Sequence, residues 1–522
     1  MRLRRFRSKK AAKGPEIASP FSELGRWIPP DRLLLDPGAM SVYECDAFPI
    51  QRQLPGAVTL CASREEVIQV VRWCHSRRVP FVPRGAGTSL SGGATPSPGC
   101  VVIDVNRMRS ILRIDVEDRY AVVEPGIFNS QVTEATAPYG LQYAPDPSSQ
   151  KACTIGGNVA QNAGGPHCLK HGVTRDHVLG LEVVLPDGMP VRMGGPSAGG
   201  VGHDLVGLFV GTEGTFGVVT EVTVKLIPMP QAVRTYLAIF DKMSLATRTV
   251  ADITRKGILP VALEILDQRT IRAVEASVFA AGYPQNAAAV LLVEIDGLEA
   301  GMDAEEERIR ATALENHAME FRAARDHEER ERLWKGRKSA YGAMGRINTD
   351  LHVLDGVVPR TRLESALGAF EAIAARYGLT LCNVFHAGDG NVHPTISYDG
   401  RDPLELERVL AASREIAAAC VGVGGTISGE HGIGLEKKDL MPLLYSPTEI
   451  EFLRALRHVV DPDEISNRGK IFPDVETEGP AAPSENSARD SAMDGARTPA
   501  PRERTESSEG GSRDALPSRG SP

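Results

Sequence analysis

The stretch Arg84-Gly-Ala-Gly-Thr-Ser-Leu-Ser-Gly-Gly93 decides the fold of this chain. It follows an extended segment at 79–83 and precedes an apolar run at 100–105, which has the composition of a buried strand. Glycines lack the Cβ atoms that would cover the backbone, so the amides of such a loop can surround a phosphate. Thr88 and Ser89 add hydroxyl donors. The loop therefore predicts a phosphate-bearing ligand, with a plain tight loop as the alternative.

The residues around this loop differ from the common dinucleotide-binding pattern. That pattern needs a third glycine at position 90 and a helix directly after the loop. Position 90 is Leu90, and a second glycine pair and a proline-rich turn follow it. The elements predicted from 63 to 124 run helix, strand, glycine loop, strand, strand. We therefore reject a Rossmann domain but keep the phosphate-binding loop.

Composition bounds the class of protein. The chain has 522 residues, of which 42% are hydrophobic and 5% aromatic, so two or three globular domains are expected. Its eight cysteines form no Cys-x-x-Cys pair, which argues against a disulfide framework, an iron–sulfur cluster and a thiolate zinc site. The net charge of −8 makes nucleic acid an unexpected partner. No apolar run approaches the roughly 18 residues of a transmembrane segment. Cysteines without a Cys-x-x-Cys pair are typical of free thiols, so we expect a protein of the reducing cytoplasm.

The two ends differ from the middle of the chain. Residues 1–13 carry seven Lys or Arg and no acid, with no apolar segment behind them, so 1–34 is predicted as a solvated basic extension rather than a secretory signal. A loose attraction of this extension to acidic lipid is the alternative. Residues 475–522 offer almost nothing to bury and are predicted as a disordered tail. Between the ends, the alternating strand predicted at 218–226 is half-buried and antiparallel, and Pro228 and Pro230 then divide 35–228 from 229–474.

A second informative stretch is His386-Ala-Gly-Asp-Gly-Asn-Val-His393. Asp389-Gly390 is a strong two-residue turn signal, and a hairpin closed there pairs His386 directly with His393, their Cβ atoms roughly 5 Å apart. Further on, Ser428-Gly-Glu-His-Gly-Ile-Gly434 places Glu430 and His431 in a glycine-rich turn. Two close imidazoles and a carboxylate favour a metal site with a spare base beside it. The alternative is a set of ordinary polar turn residues.

Taken together, these phrases resemble one family. They are similar to the FAD-linked oxidases of the vanillyl-alcohol-oxidase fold, in the branch of 2-hydroxy-acid dehydrogenases that includes the flavoprotein subunits of bacterial glycolate oxidase. The resemblance covers about residues 35–475 and rests on six phrases in one order: 83–93, 154–158, 162–165, 211–217, 386–393 and 428–434. It implies an α+β architecture, with a PCMH-type FAD-binding domain at 35–228 and an α+β FAD-linked oxidase C-terminal domain for substrate and metal at 229–474.

The resemblance also implies site residues. By this resemblance, the residues expected to contact the flavin are Arg84, Gly85, Ala86, Gly87, Thr88, Ser89, Asp146, Pro147, Ser149, Thr154, Gly156, Gly157, Asn158, Asn162, Gly164, Gly165, Glu213, Val219 and Asn467. Among these, Glu213 and Val219 are expected nearer the adenosine half. Fold members with covalent flavin often carry a His after the glycine loop; Thr88 and Ser89 stand here, so non-covalent FAD is expected. A divalent metal, zinc or else manganese or iron, is expected on His386, His393 and Glu430, with His431 as catalytic base and Arg337 holding the substrate carboxylate.

The implied activity is the oxidation of a small 2-hydroxy acid, glycolate or D-lactate. The implied partners are a second flavin-type subunit and an iron–sulfur subunit of a glycolate oxidase complex, at the inner face of the cytoplasmic membrane. One alternative is an independent dehydrogenase of D-lactate or D-2-hydroxyglutarate that passes electrons to a quinone or a flavoprotein. Others are a flavin-binding subunit without catalysis and a non-redox metal-dependent hydrolase.

Three positions depart from the family pattern. His171 follows Lys170 where relatives usually have tyrosine, and 467–470 reads Asn-Arg-Gly-Lys instead of Asn-Pro-Gly-Lys. Leu351-His352 stands where glycolate oxidase subunits tend to have tyrosines. We therefore expect Leu351 and His352 to influence which acid is accepted.

Overall fold

A computed structural model describes residues 19–197 and 202–474. Most of the predicted basic extension (1–18), the short segment 198–201 and the predicted tail (475–522) lie outside the described residues. Within the described part of the chain, no helix is long and apolar enough to cross a membrane.

The first part of the chain, to residue 228, contains two main sheets. Its described strands are β1 (Leu33–Leu34), β2 (Ala57–Leu60), β3 (Phe81–Arg84), β4 (Val101–Asp104), β5 (Ile111–Asp115), β6 (Tyr120–Val123), β7 (Leu141–Gln142), β8 (Val178–Val184), β9 (Pro190–Gly194), β10 (Val218–Lys225) and β11 (Ile227–Pro228). The first sheet has the order β1-β2-β4-β3, with β2, β4 and β3 parallel. The second is antiparallel, in the order β5-β6-β10-β8-β9, while β7 and β11 form a separate pair.

Helices cover these sheets and connect their strands. They are α1 (Pro37–Met40), α2 (Arg64–Arg77), α3 (Asn129–Thr136), α4 (Ile155–Gln161), α5 (Cys168–His171) and α6 (Leu205–Phe209), with 3-10 helices at Pro20–Arg26, Ser41–Tyr43, Ala137–Tyr139 and Thr174–His177. The glycine loop leaves the carboxyl end of β3, where parallel strands leave backbone groups free for a ligand.

The second part is built on one large sheet. Its strands are β12 (Ala232–Phe240), β13 (Ala262–Asp267), β14 (Ala289–Gly297), β15 (Glu320–Ala323), β16 (Asp350–Val353), β17 (Gly356–Val357), β18 (Thr380–His386), β19 (Asn391–Val392) and β20 (Pro394–Tyr398). The path runs β15-β12-β14-β13-β18-β19-β17, and β20 pairs with β18 and β16. The helices are α7 (Met243–Arg255), α8 (Gln268–Glu275), α9 (Glu299–Glu315), α10 (His327–Lys338), α11 (Ala340–Met344), α12 (Leu363–Arg376), α13 (Pro403–Gly422), α14 (Met441–Leu444) and α15 (Pro447–Val460), with 3-10 turns at Arg360–Arg362 and Lys438–Leu440. The α+β prediction is confirmed.

The predicted extension at 1–34 is too long. Leu24 and Ile28 are fully buried in the core around α2, and β1 pairs with β2. Apolar residues spaced along this segment supply the packing, which the run of basic residues before them obscured. Residues 20–34 therefore belong to the fold.

The end of the described chain returns to the first sheet. The Phe81 amide donates to Ile465 O at 2.8 Å, and the Asn467 amide donates to Phe81 O at 2.8 Å. The segment after α15, which the predicted domain division assigned to the second domain, therefore adds a short bridge beside β3. This contact brings Asn467 next to the glycine loop.

Strand β10 is antiparallel as predicted but is not half-buried. It lies between β6 and β8 in the middle of its sheet, and α2 and α4 contact it. Thr220 and Thr223 are both buried on this strand. The Thr220 hydroxyl donates to the Glu182 carboxylate at 3.0 Å, so this buried hydroxyl has a partner.

Candidate active site

A cavity of about 450 Å³ lies between the glycine loop and the histidine block. Its volume falls within the range of cofactor and small-molecule sites. The predicted flavin residues that line it are Arg84, Gly85, Ala86, Gly87, Thr88, Ser89, Pro147, Ser149, Thr154, Gly156, Gly157, Asn158, Gly164, Glu213 and Val219. The predicted metal and catalytic residues that line it are His386, His393, Glu430, His431 and Arg337. The fold thus brings together two sets of residues that lie more than 100 positions apart in the sequence.

The glycine loop has the chemistry of a phosphate-binding nest. Among the described residues, the backbone amides of 86–90 have no protein acceptor. Gly87 has φ +68°, and a Cβ there would collide with the Arg84 side chain; a Cβ on Gly85 would collide with the Thr154 hydroxyl. Half-buried amides without acceptors are costly unless a ligand or water accepts from them. The loop therefore fits the pyrophosphate of a dinucleotide cofactor.

Arg84 supports this loop from behind. Its guanidinium donates to Cys45 O at 2.9 Å and to Ala94 O at 3.2 Å and lies over the Tyr43 ring. Burial lowers the pKa of Arg84, opposed by Asp46 and Asp104. The amides, rather than this side chain, are thus the donors directed at a bound phosphate.

Four predicted flavin residues do not line the cavity: Asp146, Asn162, Gly165 and Asn467. Asp146 is paired with His167 Nδ1 at 2.9 Å, and Gly165 packs against the Asp146 backbone. Asn162 ends α4 with φ +49°. Asn467 Nδ2 donates to Gly93 O at 2.8 Å and to Glu213 O at 2.5 Å. These residues hold the segments that form the wall, and their direct contact with the flavin stays a prediction.

Glu213 joins the flavin side of the cavity to the catalytic turn. Its Oε1 accepts from the amides of Ile433 at 2.6 Å and Gly434 at 3.1 Å. Burial raises the pKa of Glu213 to about 7, although these two amides act in the opposite direction. The carboxylate therefore fixes the position of the turn 428–434 relative to the glycine loop.

The histidine hairpin has a different register from the predicted one. His386 pairs with Asn391, not with His393, and the loop contains four residues, 387–390. The long pairing of β18 with β20 sets this register. The backbone amide of Asn391 also donates a hydrogen bond to Asp389 Oδ1 at 3.1 Å, which fixes Asn391 in place. Because side chains alternate with period two, a two-residue shift keeps both histidines on one face. Their ring centroids are 5.2 Å apart.

The two histidines direct their Nε2 atoms at one carboxylate oxygen. Nε2 of His386 and Nε2 of His393 lie 3.3 and 3.2 Å from Glu430 Oε1. Nδ1 of His386 lies 2.7 Å from the Glu264 carboxylate, and Nδ1 of His393 lies 3.2 Å from the Leu354 carbonyl. A histidine that donates from one nitrogen leaves the other as a metal ligand. Two nitrogens and one oxygen form a donor set that zinc, manganese or iron accepts.

The turn carrying Glu430 and His431 is held by Asp355, which sequence reasoning missed. Its Oδ2 accepts from the amides of Gly429 at 3.0 Å and His431 at 2.9 Å, and from Lys437 Nζ at 3.0 Å. Asp355 is 1% exposed. The available signal was a lone acid inside the apolar run 353–358.

His431 lies beside the histidine hairpin. Its ring stacks on His393, with centroids 5.0 Å apart and planes 10° from parallel. Burial lowers the pKa of His431 to about 4, against the opposing charge of Asp355. Its Nδ1 is buried without a hydrogen-bond partner among the described residues. The imidazole is therefore neutral at neutral pH and can accept a proton.

Arg337 enters the cavity from α10 and is 1% exposed. Its Nε donates to Glu264 Oε2 at 2.7 Å. Burial disfavours the guanidinium, but the Glu264 charge outweighs it and raises the pKa of Arg337. Tyr341, one turn further along the chain, lines the same cavity. Glu264 was also missed; it is the one charged residue before Asp267 in an apolar strand.

Leu351 and His352 lie elsewhere. His352 lines a separate cavity of about 200 Å³, with its Nε2 3.6 Å from Glu436, and Leu351 packs partly buried against the core on the other face of the large sheet. Neither contributes to the wall of the main cavity. The expectation that they influence which acid is accepted stays a prediction, and this geometry gives it no direct support.

Comparison with known proteins agrees with this architecture. Residues 55–194 match the family described as "FAD binding domain", and residues 229–471 match "FAD linked oxidases, C-terminal domain". p-Cresol methylhydroxylase with substrate bound has the same fold, with a TM-score of 0.74 at 18% identity, covering 88% of this chain and 97% of that one. The chain belongs to the FAD-linked oxidase family: it is an FAD-dependent oxidoreductase with a PCMH-type FAD-binding domain.

Among FAD-linked oxidases, the chain is similar to glycolate oxidase subunits and to D-lactate dehydrogenases. The chain is 45% identical to glycolate oxidase subunit GlcD of Escherichia coli (strain K12) over 431 residues, 83% of this chain and 86% of that relative. It is 42% identical to glycolate oxidase subunit GlcD of Bacillus subtilis (strain 168), over 83% of this chain and 92% of that relative. It is 31% identical to a D-lactate dehydrogenase of Anaerostipes hadrus, over 88% and 97%.

Proposed function

We propose that this chain oxidises a small 2-hydroxy acid, glycolate or D-lactate, to the 2-oxo acid with non-covalently bound FAD. The observation that carries the proposal is one cavity wall with Arg337 and His431, facing another with a phosphate-binding glycine loop. The names of the relatives, glycolate oxidase subunit and D-lactate dehydrogenase, support the same substrate class. The family rules out the metal-dependent hydrolase considered from sequence.

Arg337 binds the substrate carboxylate in this proposal. A guanidinium presents paired N–H donors whose spacing matches the two oxygens of a carboxylate. In a buried cavity this ion pair also orients the substrate, because the partners cannot exchange freely with water. The carboxylate end is thus fixed, and the hydroxyl-bearing C2 is directed toward the turn with His431.

His431 accepts the hydroxyl proton as C2 loses a hydride. A general base within reach of the reacting proton accelerates such a step by roughly 10²–10⁴-fold. FAD, when bound, supplies the hydride acceptor at N5. The substrate loses one proton and one hydride in total, so the alcohol becomes a ketone or aldehyde and the charge balance is kept.

His386, His393 and Glu430 would hold a divalent ion in this proposal. Their inward-facing Nε2 atoms and carboxylate support zinc, manganese or iron as the occupant. Such an ion supplies Lewis acidity, which makes a nearby hydroxyl easier to deprotonate. Thr88 and Ser89 line the cavity after the glycine loop, in place of a histidine, which supports non-covalent flavin.

The physiological setting is also proposed. The word "subunit" in the relatives' names supports a complex, for which we propose a second flavin-type subunit and an iron–sulfur subunit. We propose a cytoplasmic location, peripheral at the inner membrane face. A second candidate function, an independent D-lactate or D-2-hydroxyglutarate dehydrogenase reducing a quinone or a flavoprotein, is favoured by the D-lactate dehydrogenase relatives.

Anaerobic titration of the purified yellow protein tests the function. Glycolate, D-lactate and D-2-hydroxyglutarate are added separately, and the flavin absorbance is followed. We expect bleaching by glycolate or D-lactate; bleaching by D-2-hydroxyglutarate alone would favour the second candidate. A flavin that none of the three acids reduces would contradict the 2-hydroxy-acid assignment.

A further inference from the structure

Glu264 connects two parts of the active site that belong to different steps. It is fully buried on β13. One oxygen, Oε1, lies 2.7 Å from Nδ1 of His386, and the other, Oε2, accepts from Nε of Arg337 at 2.7 Å. One carboxylate therefore contacts both a proposed metal ligand and the proposed substrate-binding arginine.

The contact with Arg337 determines which edge of the guanidinium faces the cavity. Nε is used by Glu264, and Nη2 lies 2.6 Å from the same oxygen but lacks the alignment of a hydrogen bond. The side edge of the fork is thus turned toward Glu264. The end edge, formed by Nη1 and Nη2, remains for a carboxylate in the cavity.

The contact with His386 determines its tautomer. A carboxylate beside Nδ1 favours a proton on that nitrogen, so Nε2, which lies 3.3 Å from Glu430 Oε1, is the nitrogen that a metal ion would use. The negative charge also makes the imidazole a stronger ligand. Loss of such an outer partner typically lowers metal affinity about 10–100-fold.

We propose that Glu264 is a positioning residue that couples binding of the substrate carboxylate to binding of the metal. Because Glu264 contacts both side chains, a ligand that orders Arg337 or His386 also restricts Glu264 and so favours the orientation of the other side chain. Each ligand therefore binds more tightly when the other is present, and the coupling is equal in both directions. This inference rests on the proposed function, because it takes Arg337 and His386 in their proposed roles.

The test uses Glu264→Gln, with Glu294→Gln as a matched control. Glu294 is a buried acid on the neighbouring strand β14, also paired with an arginine and a histidine, but it is not part of the cavity wall. The probes are Zn²⁺ and 2-hydroxy-2-methylpropanoate, a 2-hydroxy acid without a C2 hydrogen that cannot be oxidised. Zinc affinity is measured by equilibrium dialysis, and acid affinity by perturbation of the flavin spectrum.

We expect Glu264→Gln to weaken zinc about 10–100-fold and to weaken the acid about 10-fold or more. We also expect it to weaken the tightening of the acid by zinc that the proposal predicts for the unmodified holoenzyme, while Glu294→Gln keeps all three properties. Unchanged affinities, or loss of only one with the coupling intact, would overturn the proposal. If the glutamine variant does not fold, Glu264→Asp carries the test: the shorter side chain should weaken both ligands, and unchanged affinities would overturn the proposal.

Failure of the Glu264 proposal can be distinguished from failure of the proposed function. If no 2-hydroxy acid reduces or perturbs the flavin of the unmodified protein, the proposed function fails before any variant is compared. If the unmodified protein reacts normally and Glu264→Gln behaves like it, only the role of Glu264 fails.

Discussion

Two buried glutamates on neighbouring strands form similar charge clusters, one at the active-site cavity and one away from it. Glu264 on β13 and Glu294 on β14 point to the same face, and each meets one arginine of α10. Those arginines, Arg337 and Arg330, are seven residues apart, so they project from one side of the helix. Each glutamate also contacts a histidine, His386 or His167.

The clusters differ in what they leave unsatisfied. Glu294 accepts from Arg330 at 2.9 and 3.0 Å, from the Trp334 indole at 2.5 Å and from Thr235, and both nitrogens of His167 have acidic partners. Around Glu264, Arg337 keeps an unpaired edge and His386 keeps Nε2 directed at other ligands. A saturated cluster, whose polar groups all have protein partners, joins elements of the fold. A cluster that leaves polar groups without protein partners indicates a binding site.

Replacing the two arginines by methionine gives the largest contrast. We expect Arg337→Met to lower kcat/KM about 100-fold or more, because a buried charge loses its partner and the substrate loses its anchor. Arg330→Met should keep kcat/KM within about threefold and instead lower unfolding free energy by about 1–3 kcal/mol, since Arg330 is partly exposed. Steady-state kinetics and urea unfolding measure both effects. Equal kinetic losses in the two variants would remove the distinction.

The histidines give the next contrast. His386→Asn should lose the bound divalent ion and activity, while His167→Asn keeps both, because both nitrogens of His167 are already engaged by carboxylates. A chelator should lower activity of the unmodified enzyme at least about 10-fold, with recovery on adding Zn²⁺ or Mn²⁺. Elemental analysis of the purified variants is the direct measurement. Full activity in a verified metal-free sample would contradict the metal assignment.

The saturated cluster predicts a pH dependence of stability. Burial opposes ionisation of Glu294, but His167 and Arg330 outweigh it and lower its pKa to about 2. A carboxyl whose pKa is lower in the folded state than its ordinary value of 4.5 stabilises the fold above pH 4.5, and this contribution is lost as pH falls toward 2. We expect about 3 kcal/mol to be lost over this window, and Glu294→Gln to flatten it. Urea unfolding at pH 5, 4 and 3 measures the slope; an unchanged slope in the variant would contradict the assignment.

Leu351 and His352 should have the smallest effect on the chemistry. Because neither lines the main cavity, Leu351→Tyr and His352→Gln should change the ratio of kcat/KM for glycolate and D-lactate by less than about threefold. Competition kinetics with both acids measures this ratio. A tenfold change in this ratio would contradict the prediction and show that these positions influence which acid is accepted.

The sequence predicted what local chemistry determines. The glycine loop could be predicted because closely spaced glycines are a local signal of backbone left open to a ligand. The prediction that His386 and His393 share a face was right despite the register error, because side chains on a strand repeat every two residues. Glu264 and Asp355 were not readable. Glu264 meets His386 across 122 positions and Asp355 meets His431 across 76, and a lone acid in an apolar strand has no local signature. Their partners become visible only once the sheet is assembled.

The predictions of a basic extension at 1–34 and of a half-buried β10 were wrong for the same reason. Leu24 and Ile28 look like isolated apolar residues until α2 covers them. The polar residues of β10 suggest a half-exposed strand until its neighbours cover it, and Thr220 and Thr223 are then buried. Burial of polar or sparse apolar positions depends on neighbours far away in the sequence, so periodicity alone misassigns it.

The most direct test of the account is single-turnover reduction of the flavin in His431→Asn. Asparagine keeps polarity at the position but cannot accept the hydroxyl proton. We predict that the variant retains FAD, and that anaerobic reduction by glycolate or D-lactate slows about 100-fold or more in stopped-flow absorbance. Reduction at the rate of the unmodified enzyme, with flavin bound in both, would contradict the assignment of His431 as the base.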